Sequence, residues 1–415
     1  MKLKQRPDDF VVTERTRYAL DPRGRYSLYR VRKRGLATLE VVDILARMWR
    51  IPKAAIGFGG LKDKYGATEQ VVSVDRGPAR NLRQSRLDLH FLGRSRDPIR
   101  RESFSGNTFE IVVRDLAPDE AGRLRDRVGE LVRGGVPNYF DTQRFGSARG
   151  SGQFAVKRLL LGDNEGALRL ALATPAPEDR RRQRGIRETL DRHWGDWAAC
   201  HRALPACPER SVVTYLEEHP GAFRRAFELI DRNLRNLYCS AYQSHLWNRV
   251  LARLVRARVG TGAIEVPYGL GAFVFYESLP PAAVEGLRAL TLPAPRHNLK
   301  IEGPELARLY ERVFTEEGIL QKDFRFRGMQ DTYFKRGNRP ALLVPEGLSA
   351  DPDAPDELNP GRRRVTLRFA LPRGGYATIV VKRLTLHAAP PAEAGLPVDE
   401  AGEEDGPDDE ADGGA

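Results

Sequence analysis

Asp63 stands between two lysines in the stretch Ile56-Gly-Phe-Gly-Gly-Leu-Lys-Asp-Lys-Tyr-Gly-Ala-Thr-Glu-Gln70, and that spacing suits a nucleophile. Lys62 and Lys64 are expected to favour the charged form of Asp63 and to offer cations to a phosphate or a sugar hydroxyl. A carboxylate kept ionised beside such groups is equipped to attack a nucleotide. Gly57, Gly59, Gly60 and Gly66 give the backbone unusual freedom and let a ligand approach closely. The stretch is neither a phosphate-binding P-loop nor a dinucleotide fingerprint, because it lacks the Gly-Lys-Ser/Thr end of the one and the third glycine of the other. A Lys-Asp-Lys turn is also an ordinary solvated loop, so the assignment depends on the rest of the chain.

A second stretch that could touch a nucleic acid is Gly135-Val-Pro-Asn-Tyr-Phe-Asp-Thr-Gln-Arg-Phe-Gly146. Tyr139, Phe140 and Phe145 offer stacking faces, and Asn138, Gln143 and Arg144 offer polar groups for base edges, as in the binding of single-stranded RNA. The competing reading is a loop that plugs a core with its rings. Ser240, Ser244 and Asn248 recur at i, i+4 and i+8 and form a polar stripe, which on a helix usually faces water.

Composition sets the class of partner. The chain has 415 residues, a net charge of +12 and a pI near 9.7, while residues 391–415 hold ten acids and no base. Removing those ten negative charges leaves +22 on residues 1–390, a body that attracts polyanions. The tail from about residue 389 has almost nothing to bury and is expected to be disordered. Cys200, Cys207 and Cys239 form no Cys-x-x-Cys pair, which suggests free thiols in a reducing compartment. No zinc motif, apolar span or signal-peptide core is apparent, so metal is not expected and the cytoplasm is the expected location.

The elements that must position these residues follow from periodicity. Strands are expected from Phe10, over Tyr26–Lys33, beyond Gly66, and over Gly106–Arg114, where Phe109, Ile111 and Val113 share a face. Thr38 reads as the cap of a helix ending before Pro52, and a second helix spans Glu120–Val132. From about Phe154 to Leu254 the chain becomes helical and arginine-rich, as a separate module would. Near the end, Arg364–Leu371 alternates as a strand, and Pro372-Arg-Gly-Gly375 is expected to turn it into a second strand, Tyr376–Arg383.

Taken in order, six motifs resemble the TruD family of tRNA pseudouridine synthases. They are Lys4…Pro7-x-Asp-Phe10-x-Val, Gly60-Leu-Lys-Asp63-Lys…Thr68-x-Gln70, Gly106-Asn107-x-Phe109, the Gly135–Gly146 stretch, Ser240-Ala-Tyr-Gln-Ser244-x-Leu-x-Asn248, and Phe369-x-Leu-Pro-x-Gly-x-Tyr-Ala-Thr378. The resemblance runs from residue 4 to about 385. It implies an α+β fold: a pseudouridine-synthase core, an antiparallel mixed sheet flanked by helices, interrupted by a largely helical α/β TRUD domain. The implied divisions are 1–150 and 339–388 for the catalytic domain, 151–338 for the insertion and 389–415 for the acidic tail.

The same resemblance implies that Asp63 is the catalytic residue, that Phe10, Asn107 and Phe369 hold the target nucleotide, and that Lys4 is a basic neighbour of the aspartate. Phe109 would pack near the catalytic loop. Lys62, Lys64, Asn138, Gln143 and Arg144 are further expected to support the site. The implied substrate is tRNA, with uridine 13 the expected target, acted on by a monomer without a cofactor. Asp141-Thr142 and Trp247 depart from the family pattern, where glycine with a small or acidic residue, and phenylalanine, are usual. A protein that keeps the fold but only holds RNA, as a chaperone does, is the alternative.

Overall fold

In the computed structural model, residues 1–386 are described except 63, 149, 177, 178, 327 and 330. The Asp63 assignment and the acidic tail therefore lie outside the described residues. The described residues form two compact units, the smaller made of Lys2–Val113 with Thr366–Gly374, the larger of Arg114–Val365 with Met1 and residues 375–386.

The smaller unit is built on a sheet of β1 (Phe10–Thr16), β2 (Tyr26–Arg34), β3 (Ile56–Phe58), β4 (Ala67–Asp75), β5 (Leu82–Arg83), β6 (Leu87–Ser95) and β7 (Phe104–Leu116). Its order is β7-β1-β4-β2-β6-β5, with β3 on β4 and the strand Arg363–Pro372 outside β7. β1 runs parallel to β4, while the β1–β7, β2–β4 and β2–β6 pairs are antiparallel, so the sheet is mixed. One helix, α1 (Thr38–Trp49), closes its core by packing Val41, Val42 and Leu45 against Tyr29, Val31, Val72 and Val74. Period two in the strands and a helical period in α1 place these apolar groups on facing surfaces.

Thr38 is not the cap of α1. That position is Ala37, whose N–H donates to Glu40 Oε2 at 2.6 Å, and Thr38 turns its hydroxyl into the protein.

The larger unit begins with α2 (Pro118–Gly134) and continues, after the Gly135–Gly146 stretch, into α3 (Ala155–Leu160), α4 (Asn164–Leu172), α5 (Arg181–Arg192), α6 (Trp197–Ala203), α7 (Glu209–Glu218), α8 (Phe223–Glu228) and α9 (Arg232–Val259). The 28-residue α9 is its central element and buries Tyr242, Leu246, Trp247, Val250 and Leu251 completely or nearly so.

The expected hairpin at the end of the chain is not formed. Arg363–Pro372 is a strand, but Ala377–Leu384 is a helix with Ile379, Val380, Val381 and Leu384 buried. A short apolar run of β-branched residues fits a buried helix as well as a strand, and here burial on the helix outweighs local strand preference.

Candidate active site

One face of the small sheet gathers most of the predicted residues. In β1, Phe10, Val12 and Glu14 point the same way, and antiparallel pairing sets them opposite Ile111, Phe109 and Asn107 of β7. Phe109 stacks on Phe369 with ring centroids 5.4 Å apart and meets the edge of Phe10 at 6.2 Å. Phe10 and Phe369 are buried, and the ammonium of Lys4 lies 4.3 Å from the centre of the Phe10 ring. Lys4 has a left-handed backbone, φ 56°, uncommon for a residue with a side chain. Asn107 Oδ1 is buried and has no hydrogen-bond partner among the described residues, which leaves an acceptor beside the rings.

The loop that carries Asp63 enters this face under four restraints, each from a different element. Gln70 Nε2 of β4 donates to Gly60 O at 3.2 Å, and Lys62 N donates to Thr38 Oγ1 of α1 at 2.9 Å. Thr38 and Gln70 are themselves joined by a 2.7 Å hydrogen bond. Lys33 Nζ of β2, buried, donates to Lys62 O at 3.0 Å. Lys62 Nζ forms a 2.6 Å ion pair with Glu14 Oε2 of β1, whose other oxygen accepts from Thr16 Oγ1 at 2.6 Å. The same ammonium lies 4.4 Å from the centre of the Phe104 ring. On the other side of Asp63, Lys64 Nζ pairs with Glu40 Oε1 at 2.7 Å. Burial raises the Glu40 pKa, but the bond from Lys64 and that from the Ala37 amide outweigh it and hold the carboxyl below its usual value. Both lysines that flank Asp63 are thus engaged by glutamates.

The loop glycines serve close packing. None of Gly57, Gly59, Gly60 and Gly66 has a positive φ, so the expected conformational freedom is not what they supply. A Cβ at Gly66 would fall 2.7 Å from Phe10 O, and one at Gly59 would fall 2.8 Å from Phe104 Cβ. Protein atoms occupy the space that a side chain would need.

The Gly135–Gly146 stretch belongs to the larger unit and is turned inward. Tyr139 and Phe145 are completely buried, and the Tyr139 hydroxyl donates to Val274 O at 3.0 Å and accepts from Val274 N at 3.1 Å. Asn138 is buried and donates to Pro340 O at 3.0 Å, while Arg339 donates to its side-chain oxygen at 2.6 Å. Arg144 donates to Ser240 Oγ at 2.8 Å and Ser244 Oγ at 3.2 Å, and Asn248 exchanges two hydrogen bonds with the backbone of Phe140. The polar stripe of α9 therefore faces this loop and not water: Ser240, Ser244 and Asn248 are all buried. Phe140, half-buried, has the Arg339 guanidinium 4.2 Å from its ring centre, and Gln143 is exposed. Asp141 is buried too; desolvation raises its pKa, but Lys382, 2.6 Å away, more than compensates and keeps it low.

Glu14, Lys33, Thr38 and Gln70 were not singled out as site residues from the sequence. Glu14 carried one readable signal, an acid two residues after Val12 on the inward period of β1. Among the described residues no group of three or more His, Cys, Asp or Glu is gathered as a metal ion would need, and no helix is long and apolar enough to cross a membrane.

Comparison with known proteins converges on one family. The family described as tRNA pseudouridine synthase D (TruD) matches residues 1–267 and 276–384. A Methanococcus maripaludis protein named "Probable tRNA pseudouridine synthase D 1" is 30% identical over 391 residues, covering 92% of this chain and 99% of its own length. The tRNA pseudouridine synthase D of Aquifex aeolicus is 31% identical, covering 92% and 98%. A crystal structure of a Methanosarcina mazei protein assigned to tRNA pseudouridine synthase D aligns with a TM-score of 0.71 at 26% identity, covering 92% of this chain and 93% of that one.

Proposed function

The chain belongs to the tRNA pseudouridine synthase D family, and we propose that it converts one uridine of tRNA, uridine 13, to pseudouridine with Asp63 as the nucleophile. The observation that carries this reading is the loop of Gly60–Lys64, restrained by four elements beside a sheet face that holds Phe10, Asn107, Phe109 and Phe369. A reacting carboxylate needs a fixed backbone, and the hydrogen bonds to Gly60 O, Lys62 N and Lys62 O on the preceding residues support that reading.

The chemistry follows from the product. Uridine leaves its stack, at a cost of a few kcal/mol, and stacking with hydrogen bonds to the base edge offsets that cost. In this reading Lys4 gives up the face of Phe10 to the incoming base, Phe369 supports the neighbouring ring, and Asn107 Oδ1 accepts from an N–H of the uracil. Asp63 attacks, or holds the sugar cation, as the C1′–N1 bond breaks. The base turns, C5 bonds to C1′ as any bond to Asp63 breaks, the proton leaves C5 and N1 takes one up, so substrate and product are isomers. The basic body supplies phosphate contacts for a folded RNA.

Chemical mapping of pseudouridine in tRNA from cells with and without this protein tests the proposal. A modification at position 13 that disappears with the protein is expected. Unchanged tRNA, together with retained tRNA binding by the purified chain, would favour a protein that only holds RNA.

A further inference from the structure

We infer that a cavity in the larger unit is a nucleotide-binding site, which takes a phosphate among the arginines of α3 and α9 and the attached base against Leu161 and Leu270. Only the source of that nucleotide, the RNA or the free pool, rests on the reading of this chain as a tRNA enzyme.

The cavity has a volume of about 830 Å³, and its described lining residues all lie in the larger unit. Two helical stripes build its walls. Phe154, Lys157, Arg158 and Leu161 recur at i, i+3, i+4 and i+7 along α3 from its cap, and Arg249, Ala252, Arg253 and Arg256 do the same on α9. The hairpin of Ile264–Tyr268 and Gly271–Phe275 supplies a third side through Tyr268 and Leu270. Ligand sites run from roughly 300 to 1,000 Å³, so the space suits a nucleotide better than a lone phosphate.

Its charge is unbalanced. Lys157, Arg158, Arg249, Arg253 and Arg256 meet three carboxylates among the described lining residues, Asp163, Glu265 and Glu317. The nearby acids are shared: Glu317 serves Lys157 and Arg249, and Glu316 serves Arg249 and Arg253. Crowding shows in how the cations titrate. Burial, then Arg249 and Arg158, lowers the pKa of Lys157, and burial, then Arg253, lowers that of Arg249. Like charges four apart on one helix are destabilising, so folding gains little from gathering them.

A phosphate brings the missing countercharge, and guanidinium groups bind it through paired N–H donors. Arg158 and Arg256 are 43% and 47% exposed, so their surface pairs with Asp163 and Glu265 are weak enough to yield to it. Leu161 stays half exposed beside these cations and gives the apolar contact that a base requires.

The test uses the full chain, the variants Ala252→Phe and Arg253→Gln, and three probes: adenosine 5′-monophosphate, inorganic phosphate and tRNA. Adenosine avoids the uridine preference of the proposed reaction. Ala252→Phe fills the cavity without altering its charge, whereas Arg253→Gln removes a cation and keeps a donor for Glu316. Either decides alone for the nucleotide if the other does not fold. In calorimetric titration the nucleotide is expected to bind about tenfold more tightly than phosphate, and each variant to weaken it about tenfold. For a site that serves RNA, tRNA affinity falls at least about fivefold in both variants. For a site that serves the free nucleotide, tRNA affinity is unchanged.

Wild-type affinity for both nucleotide and tRNA in the variants overturns the inference, as does phosphate bound as tightly as the nucleotide. A loss of tRNA affinity confined to Arg253→Gln, without nucleotide binding, marks a plain charge effect and overturns it too. Pseudouridine formation, measured in parallel, keeps the two readings apart. A wild-type chain that modifies no tRNA would overturn the proposed function whatever the cavity binds, whereas modified tRNA with unaffected variants would remove only the role given to the cavity.

Discussion

Two loops of this chain have compositions that suit RNA, and they are built in opposite ways. The Gly60–Lys64 loop is short of apolar groups and is held by its backbone and by ion pairs to Glu14 and Glu40. The Gly135–Gly146 loop is held by its side chains, with Tyr139 and Phe145 completely buried and Asn138 and Arg144 hydrogen-bonded within the protein. The first arrangement fixes the Gly60 and Lys62 backbone and ties both lysines to glutamates. The second spends most of its aromatic and polar groups on the protein's own core. Aromatic rings next to Asn, Gln and Arg are therefore no sign of an RNA contact until their burial is known.

The difference can be broken most severely at Lys62. Lys62→Met leaves the carboxylate of Glu14 buried and uncompensated, and a loss of about 3–5 kcal/mol in unfolding free energy is expected. Denaturant titration measures it, and a loss below about 1 kcal/mol would mean that the pair is readily solvated. Tyr139→Phe is the counterpart in the second loop. It strands the N–H and C=O of Val274 without a partner and should cost about 2–3 kcal/mol by the same measurement.

A third prediction concerns pH. Burial, with Arg249 and Lys157 nearby, lowers the pKa of His245 to about 3, and its ring lies against Phe145 and Phe154. The unfolded chain takes up a proton near pH 6.5 where the folded chain does not, so this residue's contribution to stability is lost as pH falls below that value. Between pH 6.5 and 5 the loss amounts to about 2 kcal/mol. In His245→Phe that portion of the pH dependence should vanish, and an unchanged slope would show that His245 is protonated in the fold. The smallest effect is expected at exposed Gln143, where Gln143→Ala should change stability by less than about 0.5 kcal/mol. A larger change would give the loop a structural contact through that side chain.

Much of the small sheet could be read in advance because its physics is local. Phe109, Ile111 and Val113 alternate, Val41, Leu45 and Trp49 recur at helical spacing, and both patterns are realised. The mixed sheet flanked by helices also agrees with the architecture the motifs implied. Elements decided by tertiary burial were harder. The run Thr378–Val381 has strand preference but lies on a buried helix, and Ser240, Ser244 and Asn248 look solvated until the loop they bind is placed over them. Thr38 resembles a cap because a hydroxyl at a helix start usually is one, yet its partner is Gln70, 32 residues away.

At the candidate site, the sheet face of Phe10, Asn107, Phe109 and Phe369 combines residues that the motifs had already indicated. Glu14 was missed because an acid in an alternating strand gives no sign of its partner. Only the register of β1 against β7 and the course of the following loop bring it to Lys62.

The central claim is that Asp63 performs the chemistry, and single-turnover conversion of tRNA by Asp63→Asn tests it most directly. The amide keeps the shape of the side chain and removes the nucleophilic charge, so pseudouridine formation should be abolished while tRNA affinity stays within about tenfold of wild type. Conversion by Asp63→Asn at a rate near that of the wild type would contradict the account.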